Sequence, residues 1–191
     1  MNKPLERGNA MFDQILFARI GWGDLYQGEE LVGNFQEPNE TGSWWERFNF
    51  KPCVNGLCYG YVPPMGCYQS PPRPTNHHGW LVIFVATEDG RRDGALRPVG
   101  WYEEATIEKQ YRDRLEKDLD QSYEYILTTR AKSAYLIPKG KRSSFERIPT
   151  EHFKRCFVYA RSPFHREHWR KAYADLAEKI VARKRLCKRV G

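Results

Sequence analysis

Hydrophobic and polar positions alternate along this chain in a way that predicts short strands followed by one long helix. Asp13 to Ile20 (DQILFARI) is apolar at nearly every position and short, the pattern of a buried strand. Gly21-Trp22-Gly23 ends it, and 24–43, rich in Gly, Asn, Glu and Gln, reads as a long polar loop. Trp45 to Phe50 (WERFNF) predicts a second strand. The turn Val54-Asn55-Gly56 then leads into Leu57 to Val62 (LCYGYV), because Asn and Gly both tolerate the positive φ a tight hairpin needs. Five prolines between Pro63 and Gly79 exclude a helix or a central strand there.

Trp80 to Thr87 (WLVIFVAT) is continuous, β-branched and aromatic, which predicts a central strand buried on both faces. Leu96 to Ile107 is its partner, with Pro98 near the start, where a missing N–H matters least. The charges spaced through Glu108 to Asp120 predict a short exposed helix. Tyr123 to Thr129, Ala134 to Ile137, Arg147-Ile148 and Cys156 to Tyr159 are further strands. Ser162-Pro163 reads as an N-cap followed by proline at the first helical position. Behind it Trp169, Ala172, Tyr173, Leu176, Ala177 and Ile180 form one apolar stripe of a helix running to about Arg185. That stripe faces a sheet and leaves Arg166, Arg170, Lys179, Arg183 and Lys184 to solvent or a partner.

These elements predict one α+β domain over 13–185. Its sheet is small, mixed or antiparallel and barrel-like, and it carries a long C-terminal amphipathic helix. A disordered lead (1–12) precedes it and a basic tail (186–191) follows. The 191 residues suit a single core, and 40% hydrophobic with 29% charged residues is the profile of a soluble globular chain. The longest apolar run, Trp80 to Ala86, falls far below the roughly 20 residues a membrane span requires. The N-terminal residues have no apolar signal stretch. With five cysteines and no secretory signal, a reduced cytoplasmic protein is expected, with no membrane partner.

Charge changes the picture once it is located. The net charge is +7; from Arg161 to Gly191 ten Lys/Arg face three Asp/Glu, so the first 160 residues sum to zero. A cationic terminal segment points to a polyanion, with nucleic acid first.

Motifs for nucleotide-dependent chemistry and for serine or zinc hydrolysis are missing, so no catalytic residue is assigned and no cofactor is expected. Cys53, Cys58 and Cys67, with His77 and His78 downstream, would supply thiolate and imidazole to a tetrahedral zinc, though the spacing matches no standard knuckle. That set supports the alternative of a zinc-containing hydrolase or nuclease; a protein-interaction domain is the other alternative. Aromatic residues cluster at strand ends and in the adjoining loops. Trp22, Tyr26, Phe50, Tyr59, Tyr61, Trp101 and Tyr102 are candidates to line a slot for a flat base, with Asn49 offering a donor–acceptor pair to its edge.

The succession ILFARIGWGDLYQG (15–28), FNFKPCVNGLCYGYV (48–62) and WLVIFVATEDG…RPVGWYEEATI (80–107) resembles a bacterial module found in the N-terminal part of HNH-endonuclease-type and other restriction-associated proteins. The module's motifs are matched by Gly21, Trp22, Tyr26 and Gly28, by Asn49, Phe50 and Pro52, by Gly56, Tyr59, Gly60, Tyr61 and Val62, and by Val99, Gly100, Trp101, Tyr102, Ala105 and Ile107. AKSAYLIPKGKRSSFERIP (131–149) is similar to its later segment. The likeness extends to the EVE/PUA group of small β-barrels. It implies recognition of a modified base in an aromatic pocket, DNA before RNA, within a restriction or defence system whose nuclease or ATPase is a separate protein. Two departures are that no appended nuclease is expected after the helix and that an acidic loop, 28–41, replaces a glycine-rich stretch.

Overall fold

The computed structural model describes residues 11–33, 45–64, 71–114, 123–153, 156–162 and 167–191. Its centre is the strand Trp80–Thr87, every residue of which is buried. Among the described residues the strands in chain order are β1 (Ile15–Arg19), β2 (Leu57–Gly60), β3 (Trp80–Thr87), β4 (Leu96–Arg114), β5 (Tyr123–Arg130), β6 (Ala134–Leu136), β7 (Phe157–Arg161) and β8 (Lys188–Arg189), with one α-helix, α1 (His168–Ala182), between the last two. The order across the sheet is β2-β5-β4-β3-β1-β7, with β6 paired to β4 and β8 to β6. All pairings are antiparallel except β1 with β3. The fold is thus α+β with a mixed, mostly antiparallel sheet. Its end strands β2 and β7 do not pair, so the sheet is open where a barrel-like closure was expected.

β4 organises the sheet. In its first half Gly100 stands between Phe84 of β3 and Leu136 of β6; in its second half Thr106 and Ile107 pair with Thr128 and Leu127 of β5. A Cβ on Gly100 would lie 2.5 Å from the Phe50 ring and 2.5 Å from the Tyr135 carbonyl oxygen. Only glycine lets these layers approach so closely.

Alternation along β3 and β4 divides the apolar residues into two cores. One joins Ile83, Leu96, Trp101, Tyr135 and Val158 to the buried face of α1, namely Tyr173, Ala174, Ala177, Ile180 and Val181. The other joins Trp80, Val82, Phe84 and Tyr102 to Trp22, Tyr26, Phe50, Cys58 and Ile126. The helix stripe is as read from the sequence, except that Ala172 is exposed while Ala174 and Val181 are buried.

Four local expectations are corrected. Trp45–Phe48 is a 3-10 turn, with the buried Glu46 breaking the apolar run, where a strand was expected. Residues 108–114 continue β4, where Arg112, Asp113 and Arg114 pair with Tyr125, Glu124 and Tyr123 of β5, rather than forming a helix. Arg147-Ile148 forms no strand; Ile148 is tied by one backbone bond to Leu96. A 3-10 segment, Lys139–Ser144, stands where no element was expected. Pro163 and residues 1–10 and 115–120 lie outside the described residues.

The first loop is held by two charged side chains. The Glu29 carboxylate accepts backbone N–H bonds from Asp24, Leu25, Tyr26 and Gln27 at 2.5–3.1 Å. That network holds Tyr26 at φ 53°, a conformation costing about 1–3 kcal/mol outside glycine. The Tyr26 hydroxyl donates to the Gly21 carbonyl and accepts from the Gly23 amide. Arg142, fully buried, donates to the carbonyls of Ile137 (3.1 Å), Gly23 (2.6 Å) and Asp24 (2.9 Å), and its guanidinium lies 4.6 Å from the Trp22 ring centre. Replacing Arg142 by Leu strands two buried acceptors, the carbonyls of Ile137 and Gly23, and a part-buried one, that of Asp24. The expected loss is about 3–5 kcal/mol by urea denaturation, and Arg142→Lys recovers only part because the ammonium lacks the fork.

Candidate functional site

The aromatic residues named from the sequence do not converge on one slot. Trp101 and Tyr102 are consecutive on β4 and point into opposite cores, both fully buried. Trp101 stacks on Tyr135 at 5.2 Å, while Tyr102 packs against Phe50 and Phe84. Trp22 is enclosed beneath Arg142, and Tyr26 and Phe50 are interior. Asn49 is fully buried, donating to the Tyr61 carbonyl at 3.0 Å and accepting from the Tyr61 amide at 2.8 Å. Its amide is spent on bracing β2 and offers no pair to a base edge. The space beside Gly60 is taken by the Tyr102 ring and Leu127 rather than left for a ligand.

Tyr59 and Tyr61 differ: both are half-buried and on the surface. Tyr61 stacks on Tyr111 at 5.2 Å. Tyr59 meets Tyr125 of β5 edge to face at 4.7 Å, and the Asn55 amide donates to its hydroxyl at 2.8 Å.

The cysteines and histidines are dispersed. Cys53 is buried and receives a hydrogen bond from the Arg114 guanidinium; Cys58 is interior, and burial pushes its thiol up to about 12. His77 meets the Ile107 carbonyl at 2.7 Å and His78 the Thr106 hydroxyl at 3.0 Å, both through Nδ1. Cys67 lies outside the described residues. Among the described residues no three His, Cys, Asp or Glu side chains gather as metal ligands.

The terminal charge is distributed unevenly. Each of its three acids pairs with a neighbouring cation: Glu178 with Arg161 (2.9 Å), Glu167 with Arg170 (2.5 Å) and Asp175 with Lys171 (2.8 Å). Arg170 also donates to the Tyr159 carbonyl. Arg183 bonds the Ser144 carbonyl and lies over Phe145, and Lys184 pairs with Glu103 at 2.7 Å and lies 4.2 Å above the Tyr135 ring. Of the helix cations read as phosphate contacts, Lys179 is exposed, Arg166 lies outside the described residues, and Arg170, Arg183 and Lys184 serve the fold.

The exposed positive charge stands beyond the helix. β8 lies against β6, Arg189 donates to the Lys132 carbonyl at 2.6 Å, and Arg183 joins the end of α1 to the 3-10 segment 139–144. These contacts gather Arg130, Lys132, Lys139, Lys141, Arg185, Lys188 and Arg189, all exposed, along one edge of the molecule. Residues 130–146 and 183–191 together hold ten Lys and Arg and, among acids, Glu146 alone. Charge summed over the first 160 residues conceals the contribution of 130–141, which a windowed count would have found.

Glu46 is the functional-looking group that periodicity hid. It is buried, accepts the Gly21 amide, has no ion-pair partner among the described residues, and its charge is felt by Tyr26, Tyr61, Tyr111 and Cys156. Burial raises its carboxyl to about 7. The folded chain therefore keeps a proton that the unfolded chain releases between roughly pH 4.5 and 7, and this contribution to stability is lost as pH rises through that window. Urea midpoints between roughly pH 5.5 and 8 should fall in the wild type and flatten in Glu46→Gln, which keeps an acceptor for Gly21. An unchanged pH slope in the variant would assign the dependence to other groups.

In comparison with known proteins, the chain matches no family model, no curated protein and no solved structure.

Proposed function

We propose that this chain binds nucleic acid along the cationic ridge formed by β8, the turn after β5 and the segment 139–144. The observation that carries the reading is the grouping of seven exposed Lys and Arg with one carboxylate on the same segments. A surface of this kind draws a polyanion by releasing its condensed counterions, and the gain is largest where no nearby acid already neutralises the cations. The acids of α1 are consumed by Arg161, Arg170 and Lys171, so the ridge keeps its field.

The base-slot form of the reading is weakened, because Trp22, Tyr26, Phe50, Trp101 and Tyr102 fill the two cores, leaving only Tyr59 and Tyr61 of its rings at the surface, and Asn49 is internally bonded. What remains is a backbone-tracking surface, with DNA or RNA as its partner. The restriction-type setting, with a separate nuclease or ATPase, rests on the motif resemblance.

Five phosphate contacts would lower affinity roughly 100-fold or more between about 50 and 200 mM salt. Lys132→Glu, Lys141→Glu and Lys188→Glu together remove three contacts without touching a side-chain bond of the fold. The triple variant should bind oligonucleotides at least about tenfold more weakly, with a salt slope shallower by about 2–3, and unfold at the wild-type temperature. Affinity that is absent, or flat with salt, in the wild type overturns the proposal.

A further inference from the structure

The ridge adjoins a sheet face that carries rings rather than charges. In the β2–β5 pairing Leu57 stands opposite Arg130 and Tyr59 opposite Thr128, so Tyr59 lies two residues, about 7 Å, along the strand from the ridge's first cation. Tyr125 stands beside Tyr59, and Arg112 of β4 opposite Tyr125. Thr128, paired with both Tyr59 and Thr106, completes a partly exposed surface.

The two rings are set in place before any ligand arrives. Asn55 holds the Tyr59 hydroxyl, and the Arg114 guanidinium, itself buried, lies 5.3 Å from the Tyr59 ring centre. Arg112 ties the other side, pairing with Glu108 at 3.1 Å and hydrogen-bonding Tyr125. Rings fixed this way lose little freedom when a flat partner settles on them.

The surrounding charges give the surface a direction. Cations lie at the Arg130 end, whereas at the far end the exposed carboxylates Asp113 and Glu124 outnumber Arg112, whose charge Glu108 already pairs. Phosphates are thus held at the ridge while bases extend over the tyrosines. A duplex keeps its base faces stacked inside and has only phosphates to offer; a single strand has both.

We infer that the nucleic acid held by this ridge is single-stranded, with bases stacked on Tyr59 and Tyr125. This rests on the proposed function, and the two are separable by experiment. Fluorescence anisotropy would compare a twelve-nucleotide mixed-sequence single strand with its duplex, using the full chain. The variants are Tyr125→Ala, Tyr59→Leu, which keeps the bulk but removes the π face, and Tyr59→Phe, which keeps the ring. Single-strand affinity should exceed duplex affinity and fall about 5- to 100-fold in Tyr59→Leu and in Tyr125→Ala. It should stay near wild type in Tyr59→Phe, with duplex affinity and salt slope unchanged throughout. If neither ring variant weakens single-strand binding, or if duplex binds more tightly, the inference fails while loss of binding in the ridge variant still upholds the ridge. If the ridge variant binds both forms as the wild type does, the ridge reading itself fails.

Discussion

Burial of β3 and the first half of β4 on both faces governs where function can reside. A strand covered by helix on one side and by loops and curled sheet on the other must supply apolar side chains in both directions. Adjacent residues such as Trp101 and Tyr102 therefore enter different cores, and the sheet separates Trp101 from Trp22, Tyr26, Phe50 and Tyr102, which fill the other core together. The large aromatic content is absorbed in building two cores on a chain of 191 residues. Chemistry directed outward is left to the edge strands β2 and β8 and to the exposed turns that flank β5 and β6.

Charge is arranged under the same constraint. Arg142 and Glu29 are spent inside the first loop, where they satisfy backbone groups that would otherwise be stranded. On and beside α1 the acids are paired, Glu167 and Asp175 with cations three or four residues away and Glu178 with Arg161 of β7. The tail and the segments beside β6 contain almost no acid, so their cations act together. A formal net charge of +7 is thus better described as a nearly neutral body with one positive edge.

The strands with continuous apolar runs and the amphipathic helix were legible in the sequence, since burial on a fixed period leaves a clear trace at β1, β3 and α1. Less legible were Trp45–Phe48, where one buried acid mimics a polar position of a strand, and 108–114, where an exposed β extension and an exposed helix both read as mixed charge. The openness of the sheet depends on which strands pair across long intervals, which periodicity does not record. For the site, Tyr59 was recognised as a candidate ring and remains at the surface, while Trp22, Tyr26, Phe50, Trp101 and Tyr102 are core. The motif Gly21-Trp22…Tyr26-x-Gly28 codes for a braced loop, and its partner Arg142 lies over a hundred residues away with no local pattern to announce it.

The central claim is that the edge bearing β8 and the β2–β5 face meets the ligand, and that the loop containing Trp22 and Tyr26 does not. Backbone amide NMR shifts, followed as a short single-stranded oligonucleotide is added, test this residue by residue. The account predicts that perturbed amides concentrate in 57–60, 125–141 and 183–190. Shifts centred on 21–29 and 49–50, with the basic edge silent, would contradict it.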